Sequence, residues 1–316
     1  MAETKFDRSL SSAALDYLRS MPSWWRDVLN HRYRDGQVER SLLIALRAGY
    51  LNVYAEGQSI LKIAFDTRVE GLPPVRARIN RKYVFGPQVK DDYLIFDGAR
   101  IRDPADPTFT QDYLGPEAIT RWVEAARLYR VKEKEGVARI MENNPNVIDV
   151  EMALPANEPP PGEAKVARRM DIVALERASN AEEAPLRLAF YEAKLFRNSE
   201  LRDQNLDPKV VRQLHAYRDY ISEPARKKQV IDAYRRSCAV LGEITHMRGI
   251  APSDHVKAIA QGELLDLDPM PRLIVFDFDE ASIGEKSSWH RHEQALRAKG
   301  IGLVMSPRPD TIRLPA

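Results

Sequence analysis

The chain has a single cysteine, Cys238, among its 316 residues. One thiol excludes an intramolecular disulfide framework and any zinc site built on several cysteines. A run of about 18 apolar residues is also missing, so no segment has the length and hydropathy of a membrane-spanning helix. The first residues, Met1-Ala2-Glu3-Thr4-Lys5-Phe6-Asp7, hold no basic stretch leading into an apolar one. No secretory leader is therefore expected, and the chain reads as soluble and cytoplasmic, with no membrane partner. Excess charge of one sign is absent too: 48 Lys and Arg stand against 46 Asp and Glu, a formal net charge of +2. Binding to nucleic acid would then have to come from local patches rather than a global basic field. Glycine is scarce, 15 residues, and none are grouped into a phosphate-cradling loop, which argues against an NTPase. There is no internal repeat and no heptad array.

What is there divides into two parts. Residues 1–110 read as a smaller N-terminal α+β domain. Helical patterns at Ser11 to Ser20 and Ser23 to Tyr33 are followed by Val38 to Ala48, then by two apolar runs around a Glu56-Gly57 turn that read as a hairpin. Val75 to Phe85 and Tyr93 to Phe96 add strands, and Arg100 to Thr110, with two prolines and two aspartates, reads as a linker. Residues 111–316 begin with a long helical pattern from about Pro116 to Asn143. A strand follows at Val147 to Leu154, in which Asp149 and Glu151 alternate with apolar residues and are expected to face solvent. A proline-rich loop, Pro155 to Glu163, leads to two further apolar runs. The C-terminal stretch reads as a helix from Lys227 to Ile244, a strand from Leu273 to Phe278, a helix around Trp289 to Lys299 and a last strand from Ile301 to Met305.

The two apolar runs carry the chemistry. Asp171 stands in Met170-Asp171-Ile172-Val173-Ala174-Leu175, and the second run contains Tyr191-Glu192-Ala193-Lys194. Side chains alternate along a strand, so Glu192 and Lys194 share a face while Ala193 points away. If the runs pair, two carboxylates and an ammonium converge. Mg²⁺ takes hard oxygen ligands, keeps several waters and is commonly held by one or two carboxylates, so Asp171 and Glu192 suffice, with the Ala193 carbonyl as an extra ligand. Mn²⁺ is expected to substitute. Lys194 could orient an attacking water or offset charge in a phosphoryl transition state. The bland alternative is an exposed cross-strand ion pair, worth about 0 to 1 kcal/mol.

The sequence after the second run favours the first reading. Pro208 opens a segment with Val210, Leu214, Tyr217 and Ile221 at helical spacing, and Gln213 and Tyr217 lie on one face. In order and spacing, Asp171, Glu192-Ala193-Lys194 and Gln213-x-x-x-Tyr217 resemble the PD-(D/E)XK nuclease superfamily, in its RecB-like branch. The resemblance spans about residues 113 to 221. It implies an α/β protein with a restriction-endonuclease-like αβββαβ core, here with a C-terminal αβ extension. It also implies Asp171 and Glu192 as metal ligands, Lys194 as the catalytic lysine, and Gln213 and Tyr217 as supporting or DNA-contacting residues. Met170 stands where the family often has proline, a change that leaves the ligands untouched. The family tends to place an acid on the preceding helix. Glu133, in register with Val137, Ile140 and Met141, is taken for it as a further metal ligand over Glu135.

The expected function is thus a Mg²⁺-dependent nuclease, with DNA as the first choice of substrate. An RNA nuclease and a non-cleaving nucleic-acid-binding or regulatory protein of the same fold stay open. Stand-alone nucleases of this kind often serve defence or repair. The N-terminal part is assigned to recognition of substrate or of a partner protein, or to a homodimer contact. Local basic patches that suit phosphate are Lys165 to Arg169, Arg197, Arg202 and Arg212. Two other features are set aside: Asp277-Phe278-Asp279 at a strand end looks like a phosphatase nucleophile motif without the sequence that should follow, and His290 and His292 diverge on a helix.

Overall fold

The computed structural model describes residues 6–65, 75–87, 89, 92–154, 169–179 and 184–316. The chain is mixed α and β and divides into two compact units. Arg8–Lys134 with Val240–Pro252 forms the N-terminal unit; Glu135–Ala239 and Ser253–Ala316, with the chain up to Asp7, form the C-terminal unit.

In the N-terminal unit, helices α1 (Ser12–Arg19) and α2 (Ser23–Asn30) precede a two-stranded ribbon, β1 (Arg32–Asp35) with β2 (Val38–Ser41). The Ser11 side chain starts α1 by accepting the Ala14 N–H, 3.2 Å away. A seven-stranded antiparallel sheet then runs in chain order. Its strands are β3 (Leu43–Leu46), β4 (Tyr50–Ala55), β5 (Gln58–Phe65), β6 (Val75–Asn80), β7 (Tyr93–Phe96), β8 (Arg100–Asp103) and β9 (Asp106–Asp112). A single turn, α3 (Lys82–Phe85), separates β6 from β7, and α4 (Pro116–Arg127) follows the sheet. One face of the sheet is packed: Ile63, Ala77 and Phe96 lie under Trp24, Trp25 and Trp122 from the helices. The alternation Val75-Arg76-Ala77-Arg78-Ile79 shows the consequence, with apolar residues buried and both arginines exposed.

The C-terminal unit holds α5 (Lys132–Glu142), β10 (Val147–Ala153), β11 (Arg169–Arg177), β12 (Leu186–Leu195), α6 (Lys209–Ser222) and α7 (Pro224–Met247). It continues with α8 (Asp254–Ala260), β13 (Leu265–Leu267), β14 (Arg272–Phe276), α9 (Ser288–Ala298) and β15 (Leu303–Ser306). The division between the units falls inside α5 and inside α7. Strands β10, β11 and β12 form an antiparallel meander, and β14 and then β15 continue the sheet parallel to β12. Strand β13 lines the first half of the β12 edge and β14 the second. Flanked on both sides, β12 is buried over nearly its whole length, which is why its sequence is almost continuously apolar.

Several expectations are corrected. The division between units lies after Lys134, not near 110, and the expected linker Arg100 to Thr110 is the β8–β9 hairpin. Its aspartates serve as turn and ion-pair groups, with Asp103 accepting from Arg81 at 2.9 Å, rather than as spacer. Val38 to Ala48 holds the strands β2 and β3. The single long helix is two, α4 and α5, broken at 128–131. There the chain turns so that Arg127 and Arg130 both reach the buried Glu56 carboxylate. Asp149 is not solvated: the β10–β11 register shifts between Val147 and Asp149, and Asp149, 2% exposed, accepts the Tyr234 hydroxyl at 2.8 Å. The expected proline-rich loop and residues 165–168 of the basic patch lie outside the described residues. No helix among the described residues is long and apolar enough to cross a membrane.

Gly136 of α5 lies directly against the ring of Phe276 on β14, where any Cβ would overlap it. Alanine normally favours a helix interior by about 1 kcal/mol over glycine, while overpacking costs about 1–3 kcal/mol. Gly136→Ala should therefore lower the denaturant midpoint, and Gly136→Ala with Phe276→Leu should recover much of it. A midpoint equal to or above wild type in the single variant would refute this packing.

Candidate functional site

Register decides which side chains meet. Ile172 pairs with Tyr191 and Val173 with Phe190, and this spacing continued by one residue sets Asp171 opposite Glu192 on the same face. The ladder stops there and β11 leaves β12. In place of a backbone acceptor, the Ala193 N–H donates to the Asp171 carboxylate at 2.8 Å. Ala193 N–H and C=O share one edge of the strand, so its carbonyl also faces the side of Asp171.

Glu192 is 3% exposed and only one of its oxygens is satisfied. Oε1 accepts from Gln213 Nε2 at 2.7 Å and from Lys194 Nζ at 2.8 Å. Oε2 is buried without a hydrogen-bond partner among the described residues. Burial pushes the Glu192 carboxyl up to about 8, and the nearby Asp171 charge adds to this, against the opposing pull of Lys194 and Gln213. Lys194 is 7% exposed and is held on a second side by Glu200 at 3.3 Å, which is itself bound by Lys209 at 2.6 Å. Those ion pairs, with the Lys209 hydrogen bond first, hold the Glu200 carboxyl below its ordinary range.

Helix α6 closes the site through Gln213 and Tyr217. Pro208 precedes its first turn, and Val210, Leu214 and Ile221 are buried on its inner face. Gln213 Nε2 also donates to the Tyr217 hydroxyl at 3.0 Å, and that hydroxyl donates to the Arg169 carbonyl, close in sequence to Asp171. Tyr217 is 2% exposed, and burial first, then Glu192, raises its phenol to about 12. This ring positions the end of β11 and, being buried, does not present a face for a base to stack on. Gln213 is half-buried and sits directly on the carboxylate.

The structure thus brings Asp171, Glu192, Lys194, Gln213 and Tyr217 together, with Ala193 supplying backbone. Glu133 belongs to the N-terminal unit, whereas these residues lie in the C-terminal unit; within the latter, Gly136 of α5 lies against Phe276 of β14, whose register partner is Leu195. Among the described residues no three acidic, histidine or cysteine side chains come together as a metal site. Glu135 pairs with Arg139 on the same helix. Of the basic residues, Arg169, Arg197 and Arg212 are exposed. Arg202 is not a free phosphate ligand: its guanidinium lies 4.6 Å from the Phe196 ring and 5.1 Å from the Trp289 ring and donates to the Phe196 carbonyl. His292 is buried while His290 bonds Gln294 at 2.9 Å, so they diverge as expected. Asp277 is exposed in a left-handed turn after β14.

Glu200 was missed in the sequence because it falls in a polar stretch without periodicity. A local signal exists: the Asn198 side chain accepts the Glu200 N–H at 2.9 Å, opening the short 3-10 turn Ser199–Leu201 that aims Glu200 back at Lys194.

The donor set fits a divalent cation. A buried carboxylate oxygen with no partner, beside a second carboxylate anchored by a backbone N–H, offers two hard ligands and leaves the remaining positions to water. No protein-family model, no curated protein and no solved structure matches the chain.

The raised Glu192 carboxyl gives a stability test. The unfolded chain releases this proton near its ordinary value of 4.5, whereas the folded chain keeps it up to about 8. Between those values the folded state binds more protons, so stability falls as pH rises. Glu192→Gln should gain stability relative to metal-free wild type between pH 5 and pH 8, read as a growing difference in melting temperature. A difference independent of pH would contradict the buried, proton-holding carboxyl.

Proposed function

We propose that the chain is a divalent-cation-dependent nuclease that hydrolyses phosphodiester bonds, with DNA as the preferred substrate. The observation that carries this is the buried, unpartnered Oε2 of Glu192 next to Lys194, with Asp171 set opposite on the same face. A purely structural carboxylate so deep in a sheet would have both oxygens satisfied. The order α5, β10, β11, β12, α6, β14, with β14 parallel to β12, supports the restriction-endonuclease-like αβββαβ reading. So does the placement of Gln213 and Tyr217 against the carboxylate and the β11 end.

In this reading Asp171 and Glu192 would hold Mg²⁺ or Mn²⁺, and the Ala193 carbonyl would add a third oxygen. The chemistry a bound cation supplies there is a water of lowered pKa and a polarised phosphoryl oxygen. The chain's own groups do the rest. Gln213 fixes the rotamer of Glu192 by its 2.7 Å hydrogen bond, leaving Oε2 directed into the site. Lys194, pre-oriented by Glu192 and Glu200, presents an ammonium to the attacking water or to the charge that builds on the phosphoryl oxygens. Tyr217 keeps the Arg169–Asp171 segment in place. Exposed Arg169, Arg197 and Arg212 are available to the substrate backbone.

The test is cleavage of linear DNA, circular DNA and RNA in Mg²⁺, Mn²⁺ or EDTA. DNA should be cut in either metal and not in EDTA, and Asp171→Ala or Glu192→Ala should abolish cutting while the protein still melts cooperatively. Cleavage that persists in EDTA, or in either variant, contradicts the assignment. Cutting confined to RNA would overturn the choice of substrate and leave the site.

Lys194 and Gln213 separate transition-state and supporting roles. Lys194→Ala should lower the single-turnover rate by roughly 10²-fold or more, with binding in Ca²⁺ nearly intact. Gln213→Ala should lower it at least tenfold while the protein still melts cooperatively, the loss of one of the two donors to the buried Glu192 Oε1 costing about 0.5–1.5 kcal/mol. A wild-type rate in Gln213→Ala would remove the helix from the mechanism.

A further inference from the structure

The N-terminal sheet is packed under helices on one face and carries the exposed Arg76 and Arg78 on the other. Register places Tyr50, Ala64 and Arg76 in one cross-strand row and Asn52, Lys62, Arg78 and Ile95 in the next. Tyr50, Lys62, Arg76, Arg78 and Ile95 line a shallow, open hollow of about 330 Å³ on this face. Lys62 Nζ stands 4.0 Å from the centre of the Tyr50 ring. Tyr93, in register with Asn80 and two residues from Ile95, adds a phenol ring that is 47% exposed.

Elsewhere on the sheet the arginines are matched: Arg81 with Asp103 at 2.9 Å, Arg102 with Asp97 at 3.0 Å and Arg100 with Asp112 at 3.3 Å. Lys62, Arg76 and Arg78 have no carboxylate partner among the described residues, although Arg76 and Arg78 are fully available. Three like charges held side by side on a rigid sheet repel one another, which an anionic ligand relieves. Neighbouring strands lie about 4.8 Å apart and alternate residues along one strand about 6.6 Å. The cations are therefore spread over more than one phosphate, and the ligand they fit is a chain of anionic groups.

We propose that this face binds a single polynucleotide strand, with its phosphates on Lys62, Arg76 and Arg78 and a base on Tyr93. A flat sheet carrying exposed aromatic rings among cations suits unstacked bases, because every base has a π-face and the backbone supplies the charge. The Tyr50 ring, with the Lys62 ammonium over it, orients that ammonium. The proposal rests on the nuclease reading only for its substrate class. It assigns the N-terminal unit a substrate-holding role of its own.

The test is binding of a labelled single-stranded oligonucleotide to the full chain in EDTA, where no cleavage intervenes, by fluorescence anisotropy across a range of NaCl concentrations. Arg76→Gln with Arg78→Gln should raise Kd at least tenfold. It should also flatten the dependence of log K on log salt by about 1.4, at roughly 0.7 per lost phosphate contact on a single strand. Arg76→Glu with Arg78→Glu should go further in the same direction, with melting temperatures like wild type because both side chains are exposed. Tyr93→Ala should weaken binding of the oligonucleotide and leave an abasic strand of equal length unaffected. The proposal is overturned if Kd and salt slope are unchanged in both double variants, or if poly-glutamate of equal charge displaces the strand as well as DNA does. The two readings fail separately. Loss of binding in these variants with no cleavage by wild type in Mg²⁺ removes the nuclease and keeps the surface, while cleavage with unaltered binding does the reverse.

Discussion

Everything proposed for the C-terminal unit depends on one buried carboxylate that is half satisfied. Burying a carboxylate is costly unless its oxygens find donors. Glu192 meets that requirement at Oε1, through Lys194 and Gln213, and leaves Oε2 without a partner. The opposite face of the same strands provides the contrast. Glu176, 0% exposed, accepts from Arg272 at 2.8 Å through Oε2 and from the Tyr191 hydroxyl through Oε1, and Arg272 in turn reaches Asp268 at 3.1 Å. That cluster closes on itself and is explained by stability alone. The Glu192 cluster does not close, and a cation between it and Asp171 is what would complete it.

The sheet imposes this difference through register and strand order. Because β12 sits between β11 on one edge and β13 and β14 on the other, its N–H and C=O groups are occupied until β11 departs after the Ile172–Tyr191 pair. The departure frees the Ala193 edge, and the Asp171 side chain takes the place of a backbone acceptor. The same departure leaves Asp171 beside a carboxylate whose helix-borne partner, Gln213, is already fixed. This arrangement is set by hydrogen bonds of the chain itself. It holds Lys194 between two acids, Glu192 and Glu200, so that its ammonium is positioned before any substrate arrives.

Much of this was legible in the residues because alternation and helical spacing are local. Glu192 and Lys194 share a face by strand parity alone, and Gln213 and Tyr217 share one by the pitch of a helix. Pairing of the two apolar runs, inferred from their order, supplied Asp171. What escaped depends on irregular or long-range features. A register shift turned Asp149 inward to Tyr234, which strict alternation cannot show. Glu200 reaches Lys194 through an asparagine-opened turn in a segment without period. The break between α4 and α5 answers to Glu56, a residue far away in the chain. The Arg76 and Arg78 alternation was readable as a strand, but the lack of compensating acids among the described residues beside it appears only when neighbouring strands are in place.

The most direct measurement of the central claim is anomalous scattering from crystals grown in Mn²⁺ at a concentration that supports cleavage. The account requires a peak between the carboxylates of Asp171 and Glu192, about 2.1 Å from Glu192 Oε2, as expected for a hard divalent cation on oxygen. That peak should vanish in Glu192→Gln crystals. A peak elsewhere with none at this pair, or an unchanged peak in the variant, would contradict it.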